Sequence, residues 1–259
     1  MTNIQFYKGA IDAGGCVSNA WHLVSRNFGM YIGIGLLTLI MIGCIPILNI
    51  FLMGPVLGGF YYVVLRDMRD EPVEFAMMFK GFEKFVPLML VGLIQAIPGV
   101  LIQIAQYTVD IARLAGVGQG VPPLSGEFFQ SSGTDLAGTG IAIAVLGIGF
   151  IFLVLMILWT IAFQFAVPLI VEHDIGVGEA IKLSFSAGFA NTGGIIVLFI
   201  LAGLVGLLGL LALCVGYFVA VPVGYAAFAF AYRQVFPRIE SHLNYSPPPP
   251  TAYGFGGGQ

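Results

Sequence analysis

From Met30 to Leu65, and again from Gly193 to Ala231, the chain runs without one charged side chain. A water-soluble helix or strand keeps a polar face toward solvent, so uncharged runs of this length belong in a bilayer. The whole chain agrees, with 58% hydrophobic and only 9% charged residues over 259 positions and a mean hydropathy of +0.97. A soluble domain of that composition would lack the polar surface to cover itself. The expected fold is all-α, a polytopic membrane protein.

The two runs also share punctuation. An amphipathic stretch around Asn27 leads into the first run, which carries Gly54-Pro55-Val56 before Arg66; a similar stretch around Asn191 leads into the second, which carries Val221-Pro222-Val223 before Arg233. The spacing from proline to arginine is the same, since 66 − 55 and 233 − 222 both give 11. This pattern predicts a duplicated unit, an interfacial helix followed by a membrane hairpin, at about 10–66 and 176–233.

Between the units lie Val86 to Ala112, a third span broken near its centre by Pro98-Gly99, and Ile141 to Val171, a long fourth span. A Gly/Pro/Ser-rich loop, Gly116 to Gly138, separates them. Six transmembrane helices result, in a membrane domain covering 1–236. Within the charged segment Asp67 to Phe85, Phe75, Met78, Phe79 and Phe82 recur at i, i+3, i+4 and i+7 and predict a helix lying on the membrane surface. The turns Cys44 to Asn49 and Ala212 to Tyr217 are almost wholly apolar, so whether the hairpins 30–65 and 193–231 span fully or are re-entrant stays open. Met1 to Gly15 has no signal-peptide core. With a cytoplasmic N-terminus, nine of the ten cations fall inside and only Arg113 outside, which places both termini in the cytoplasm. The tail 237–259, with its proline and glycine runs, is expected to be disordered.

Polar residues inside the spans are the candidates for function. On a helix turning about 100° per residue, Gln95, Gly99, Gln103, Gln106, Asp110 and Arg113 share an arc of about 80° on the third span. Amides near mid-bilayer are costly against lipid, so this stripe is expected to face protein or a water-filled cavity. Two readings follow: a solute or headgroup pathway beside a carbonyl freed by Pro98-Gly99, or interhelical hydrogen bonding to Thr160 and Gln164 of the fourth span. Asp110 and Arg113 form an ion pair one turn apart. Arg26, Arg66 and Arg233 are candidate anchors for lipid phosphates, Trp21 an interfacial aromatic and Trp159 a packing residue. Glu172-His173-Asp174 reads as a solvated helix end. Pro247, Pro248, Pro249 and Pro250, with Tyr245 and Tyr253, offer an extended partner-binding tail or a plain spacer.

The chain lacks a nucleophile with its base, a phosphate loop, a metalloprotease helix and a dinucleotide fingerprint. Cys16, Cys44 and Cys214 have no metal-ligand spacing and read as small apolar filler. The expectation is therefore no enzyme, no cofactor and no metal, and without a dense basic patch no nucleic acid partner.

At Ala20-Trp21 through Asn27-Phe28-Gly29, Phe79-Lys80-Gly81-Phe82, and Glu179-Ala180 through Ser184, the chain resembles the YciC-like group of bacterial six-helix membrane proteins. That group includes the membrane domain attached to some glycerophosphodiester phosphodiesterases. The resemblance covers most of residues 10 to 236. It implies a bacterial inner-membrane domain without catalytic residues of its own, tied to envelope or lipid homeostasis. No phosphodiesterase domain accompanies it here. The expected function is a non-enzymatic protein organising membrane lipids or a partner protein through its amphipathic helices and tail. The alternative is a small transporter or channel with its pathway along Gln95, Gln103, Gln106 and Asp110.

Overall fold

The computed structural model describes residues 4–43, 46–114, 136–211 and 215–237, and among them every regular element is helical. In chain order these are α1 (Ala13–Arg26), α2 (Phe28–Gly43), α3 (Pro46–Asp67), a 3-10 helix (Phe75–Lys84), α4 (Phe85–Leu114), α5 (Leu136–Phe163), α6 (Ala166–His173), α7 (Val177–Ala190), α8 (Thr192–Leu211) and α9 (Val215–Val235). Five stretches are long and apolar enough to cross a bilayer, or six if α1 and α2, bent by 105°, count as one span. The chain thus has the build of a multi-pass membrane protein. By itself α2, at 16 residues, rises only about 24 Å, short of a core of about 30 Å. Expectations that rest on Cys44, Cys214, the 115–135 loop, the Arg113 side chain and the tail from Arg238 onward, with Tyr245, Pro247 to Pro250 and Tyr253, lie outside the described residues.

Local chemistry explains the element boundaries. Asp12 caps α1 by accepting from the Gly15 N–H at 3.1 Å, satisfying a donor that the first turn leaves free. Along α1 the buried positions Ala13, Cys16, Ala20, Leu23 and Val24 form one stripe, which packs on α9 and α8. Asn27 ends α1 at the sharp bend into α2, and Asn191 separates α7 from α8 in the same way. In α7 the buried stripe is Ala180, Ser184, Ala187 and Gly188, turned toward α5 and α6.

The centre of the bundle is built on α3 and α9, each carrying an internal proline, Pro55 and Pro222. Their membrane stretches are 67% and 56% buried, against 17% for α8 and for the stretch containing α4. Lipid offers no hydrophobic drive to pull helices together, so close packing of small residues does that work. At Gly54, a Cβ would run into the Leu88 carbonyl of α4, and one at Gly92 would meet Gly54. A Cβ at Gly81 would strike the Pro55 carbonyl and Gly59, which lets the 3-10 helix lie directly on α3.

Three expectations need correction. The segment Phe75–Lys84 is 3-10 rather than α-helical, longer than such helices usually run. With three residues per turn, Met78 and Gly81 point at α3, while Phe79, Phe82 and Phe85 make a separate ladder with centroids 6.1 and 6.3 Å apart. The third span is not broken at Pro98-Gly99, because α4 continues through Pro98 to Leu114. The fourth span is the interrupted one, ending as α5 at Phe163 and resuming as α6 at Ala166.

Candidate functional site

The interruption of the fourth span exposes backbone groups that membrane depth cannot leave unpaired. Pro168 explains part of it: without an N–H it cannot bond the Gln164 carbonyl one turn back. Ser184 of α7, fully buried, fills the gap, its Oγ accepting from the Phe165 N–H at 3.1 Å and donating to the Ala162 carbonyl at 2.8 Å. It reaches them because α7 approaches closely, a Cβ at Gly188 running into the Ile161 carbonyl. From the other side Gln95 of α4 donates its amide to the Phe163 carbonyl at 2.7 Å.

α4 is repaired in return. Pro98 strips the Ile94 carbonyl of its helical donor, and the Trp159 indole N–H of α5 supplies one at 3.2 Å. Two helices with proline-induced defects thus bond each other's loose carbonyls. That reciprocal arrangement explains why α4 stays helical across Pro98.

Beside this junction lies a cavity of about 630 Å³ among α2, α3, α4, α5, α6, α8 and α9. Its polar lining consists of Thr38, Tyr61, Gln95, Trp159, Thr160, Gln164, Tyr217 and Tyr225, with Phe163, Phe199 and Phe228 among the apolar walls. Among the described residues, no Asp, Glu, Lys, Arg or His lines it. Thr38 and Thr160 spend their hydroxyl protons on their own helices, on the Ile34 and Met156 carbonyls, each at 2.8 Å. The Gln164 amide and the Tyr61, Tyr217 and Tyr225 hydroxyls make no hydrogen bond among the described residues. Thr160 and Tyr217 are exposed, so they form the rim.

The predicted stripe divides. Gln95 and Gln164 meet at the cavity, whereas Gln103, Gln106 and Asp110 are exposed on the far half of α4. There Leu101, Ile104, Tyr107 and Ile111 are exposed too, so that half packs on no neighbouring helix among the described residues. Gln95 thus faces protein and the cavity, whereas Gln103 and Gln106 face no neighbouring helix among the described residues. Helical periodicity placed these groups on one face, but the neighbours leave α4 beyond Pro98.

The three arginine anchors engage carboxylates of the chain itself, all at one end of the bundle. Arg26 holds Asp67 at 2.6 Å and Asp70 at 2.8 Å, Arg66 holds Glu71 at 2.8 Å, and Arg233 holds Glu172 at 2.8 Å. Asp67 is 3% exposed and also accepts from the Tyr31 hydroxyl at 2.7 Å. The sequence Glu172-His173-Asp174 is no solvated cap as a whole, since Glu172 is buried against Arg233. Asp174, 82% exposed, pairs with Lys84 at 2.8 Å, and the hydrogen bond from that ammonium lowers its carboxyl below the usual range. Lys84 also donates to the Ile170 and Val171 carbonyls at 3.0 and 3.3 Å, closing the C-terminus of α6.

Ser184, Lys84, Tyr31 and Asp67 carry these junctions, and reading for chemistry passed over them. Pro168 was the one visible signal for the helix break. No group of three or more metal-ligating side chains occurs among the described residues. No protein-family model matches the chain, and neither a curated protein nor a solved structure matches it.

Proposed function

We propose that this chain is a non-enzymatic, lipid-organising protein of a bacterial inner membrane, with six spans, four of them in two duplicated units and two between, and both termini in the cytoplasm. The observation that carries this reading is a collar of exposed aromatic rings around the charged end of the bundle. Trp21 and Phe28 stand beside the first corner, Phe75 and Phe79 on the 3-10 helix, and Phe185 and Phe189 on α7, all more than 40% exposed. Aromatic rings next to cations are suited to the headgroup boundary, with the ring in acyl chains and its edge in water. Because Arg26, Arg66 and Arg233 are each paired with a carboxylate of the chain, this reading assigns lipid recognition at the collar to the aromatic side chains. The resemblance to the YciC-like group is in keeping with such a role.

The transporter reading has less support, because the stripe along α4 does not form one continuous lining among the described residues. Phospholipid vesicles brominated at shallow or deep acyl positions test the collar directly. Comparing wild type with Trp21→Phe isolates the signal of Trp21. Strong shallow and weak deep quenching is expected; quenching only by an aqueous agent would remove the collar from the membrane and end this reading.

A further inference from the structure

We infer that the cavity beside the interrupted fourth span binds one lipid alcohol, an apolar chain bearing a hydroxyl and an uncharged ester or ether oxygen, of the diacylglycerol type. This deepens the lipid-organising reading and rests on it for access to membrane lipid. Three features of the cavity select that chemistry.

First, among the described residues none of the side chains lining it is an Asp, Glu, Lys, Arg or His. A phosphate or carboxylate taken inside would lie without a counter-charge in a low-dielectric pocket, a desolvation cost that disfavours phospholipid headgroups and fatty acids. Second, the Gln164 amide and the Tyr61 and Tyr225 hydroxyls sit in the cavity with uncommitted donors. Tyr61 is buried and Gln164 and Tyr225 half-buried, and oxygens of a neutral ligand in the cavity would pair them. Third, Gln95 spends its amide donor on Phe163, which leaves its carbonyl oxygen as an acceptor. A ligand hydroxyl can donate to that oxygen and accept from Gln164; a quinone, having acceptors only, cannot. The walls beyond the two amides are aromatic and aliphatic, fit for an acyl chain, and the volume of about 630 Å³ lies in the usual range for a small-molecule site.

The backbone around the site supports the assignment. Irregular helix at membrane depth is tolerated where it is buried in protein or lines a cavity, and interrupted helices are a recurrent way of building sites there. Ser184 and Gln95 satisfy the Ala162 and Phe163 carbonyls at the break without engaging the Gln164 side chain.

The test uses the full chain in detergent micelles and a photoreactive diazirine analogue of dioleoylglycerol, with crosslinks mapped by mass spectrometry. Crosslinks are expected on α5, α8 or α9 around the cavity, competed by dioleoylglycerol and at least tenfold less well by dioleoylphosphatidylglycerol, oleate or a ubiquinone. Gln164→Leu should lower cavity labelling about two- to tenfold, as the loss of one neutral hydrogen bond implies. Gly206→Leu should abolish it, since Gly206 lines the cavity and a Cβ there meets nothing within 4 Å. Thermal melting of both variants checks that they fold. Labelling confined to the outer faces of α4 and α5, labelling unchanged in both folded variants, or equal competition by the charged lipids or the quinone would each overturn the proposal. Shallow quenching of Trp21 without cavity labelling would sink this site and leave the collar standing, whereas failure of both would remove the lipid reading altogether.

Discussion

The corner at Asn27 and the corner at Asn191 turn the chain in the same manner with different chemistry. Each follows a helix of 14 residues, and the backbone angles are close, φ −121° and ψ 47° at Asn27 against φ −122° and ψ 20° at Asn191. The first corner is held by charge: Arg26 and Tyr31 converge on buried Asp67, while Asn27 itself stands 3.4 and 3.5 Å from that carboxylate, at the limit of hydrogen bonding. At the second corner no charge is involved. Asn191 donates to the Tyr7 carbonyl at 3.0 Å and the Ala187 carbonyl at 2.9 Å, and accepts from the Ala10 N–H at 3.0 Å. One corner is fixed by neighbours of its asparagine, the other by the asparagine itself. Two corners with similar backbone angles are thus secured by different residues.

The largest effect is expected where the charge network is cut. Asp67→Ala strands the buried Tyr31 hydroxyl and frees Arg26, and should cost about 3 kcal/mol in thermal or denaturant unfolding of the detergent-solubilised protein. Asn191→Ala should cost about 2 kcal/mol, since it removes three hydrogen bonds around a residue that is 3% exposed. It should also loosen the segment before α1, read as faster proteolysis near Tyr7 to Ala10. By contrast Asn27→Ala should cost only about 0.5 kcal/mol, because its contacts are long. Equal losses at the two asparagines would collapse the distinction between the corners.

The smallest effect tests whether charge matters on the approach to the second corner, where Asp174 precedes α7. Its folded carboxyl is held low by Lys84. The stabilisation is thus complete above the unfolded carboxylate pKa of about 3.9 and is lost as pH falls through the depressed folded value. Asp174→Asn should flatten that acid limb slightly and leave neutral-pH stability nearly unchanged, since the pair is exposed. A large loss at neutral pH would show that the pair is structural.

Helical class and the positions of both corners were legible in the sequence, because uncharged runs and asparagines between amphipathic and apolar stretches have direct physical meaning. Where partners decide, local reading failed. Pro98-Gly99 reads as a break, but Trp159 donates to the carbonyl that Pro98 frees, and the helix continues. Conversely the fourth span reads as continuous, since apolar residues run on through Phe165 to Val171, yet it is interrupted and Ser184 closes the gap. The stripe on α4 lies on one helical face, while periodicity carries no information about where a neighbouring helix ends. At the cavity, Gln95 and Gln164 were visible as polar residues in apolar runs; the tyrosines were not, because an apolar helix gives no sign of which ring faces inward.

The attachment of the N-terminal segment bears on the order in which the protein can be assembled. Tyr7 donates to the Val235 carbonyl, Asp12 to the Gln234 side chain and Ala10 to Asn191, and α1 packs on α9 and α8. Each of these partners leaves the ribosome after nearly all the rest of the domain. The buried stripe of α1 stays uncovered until α8 and α9 have been made, so α1 precedes its partners in synthesis and is among the last elements to dock.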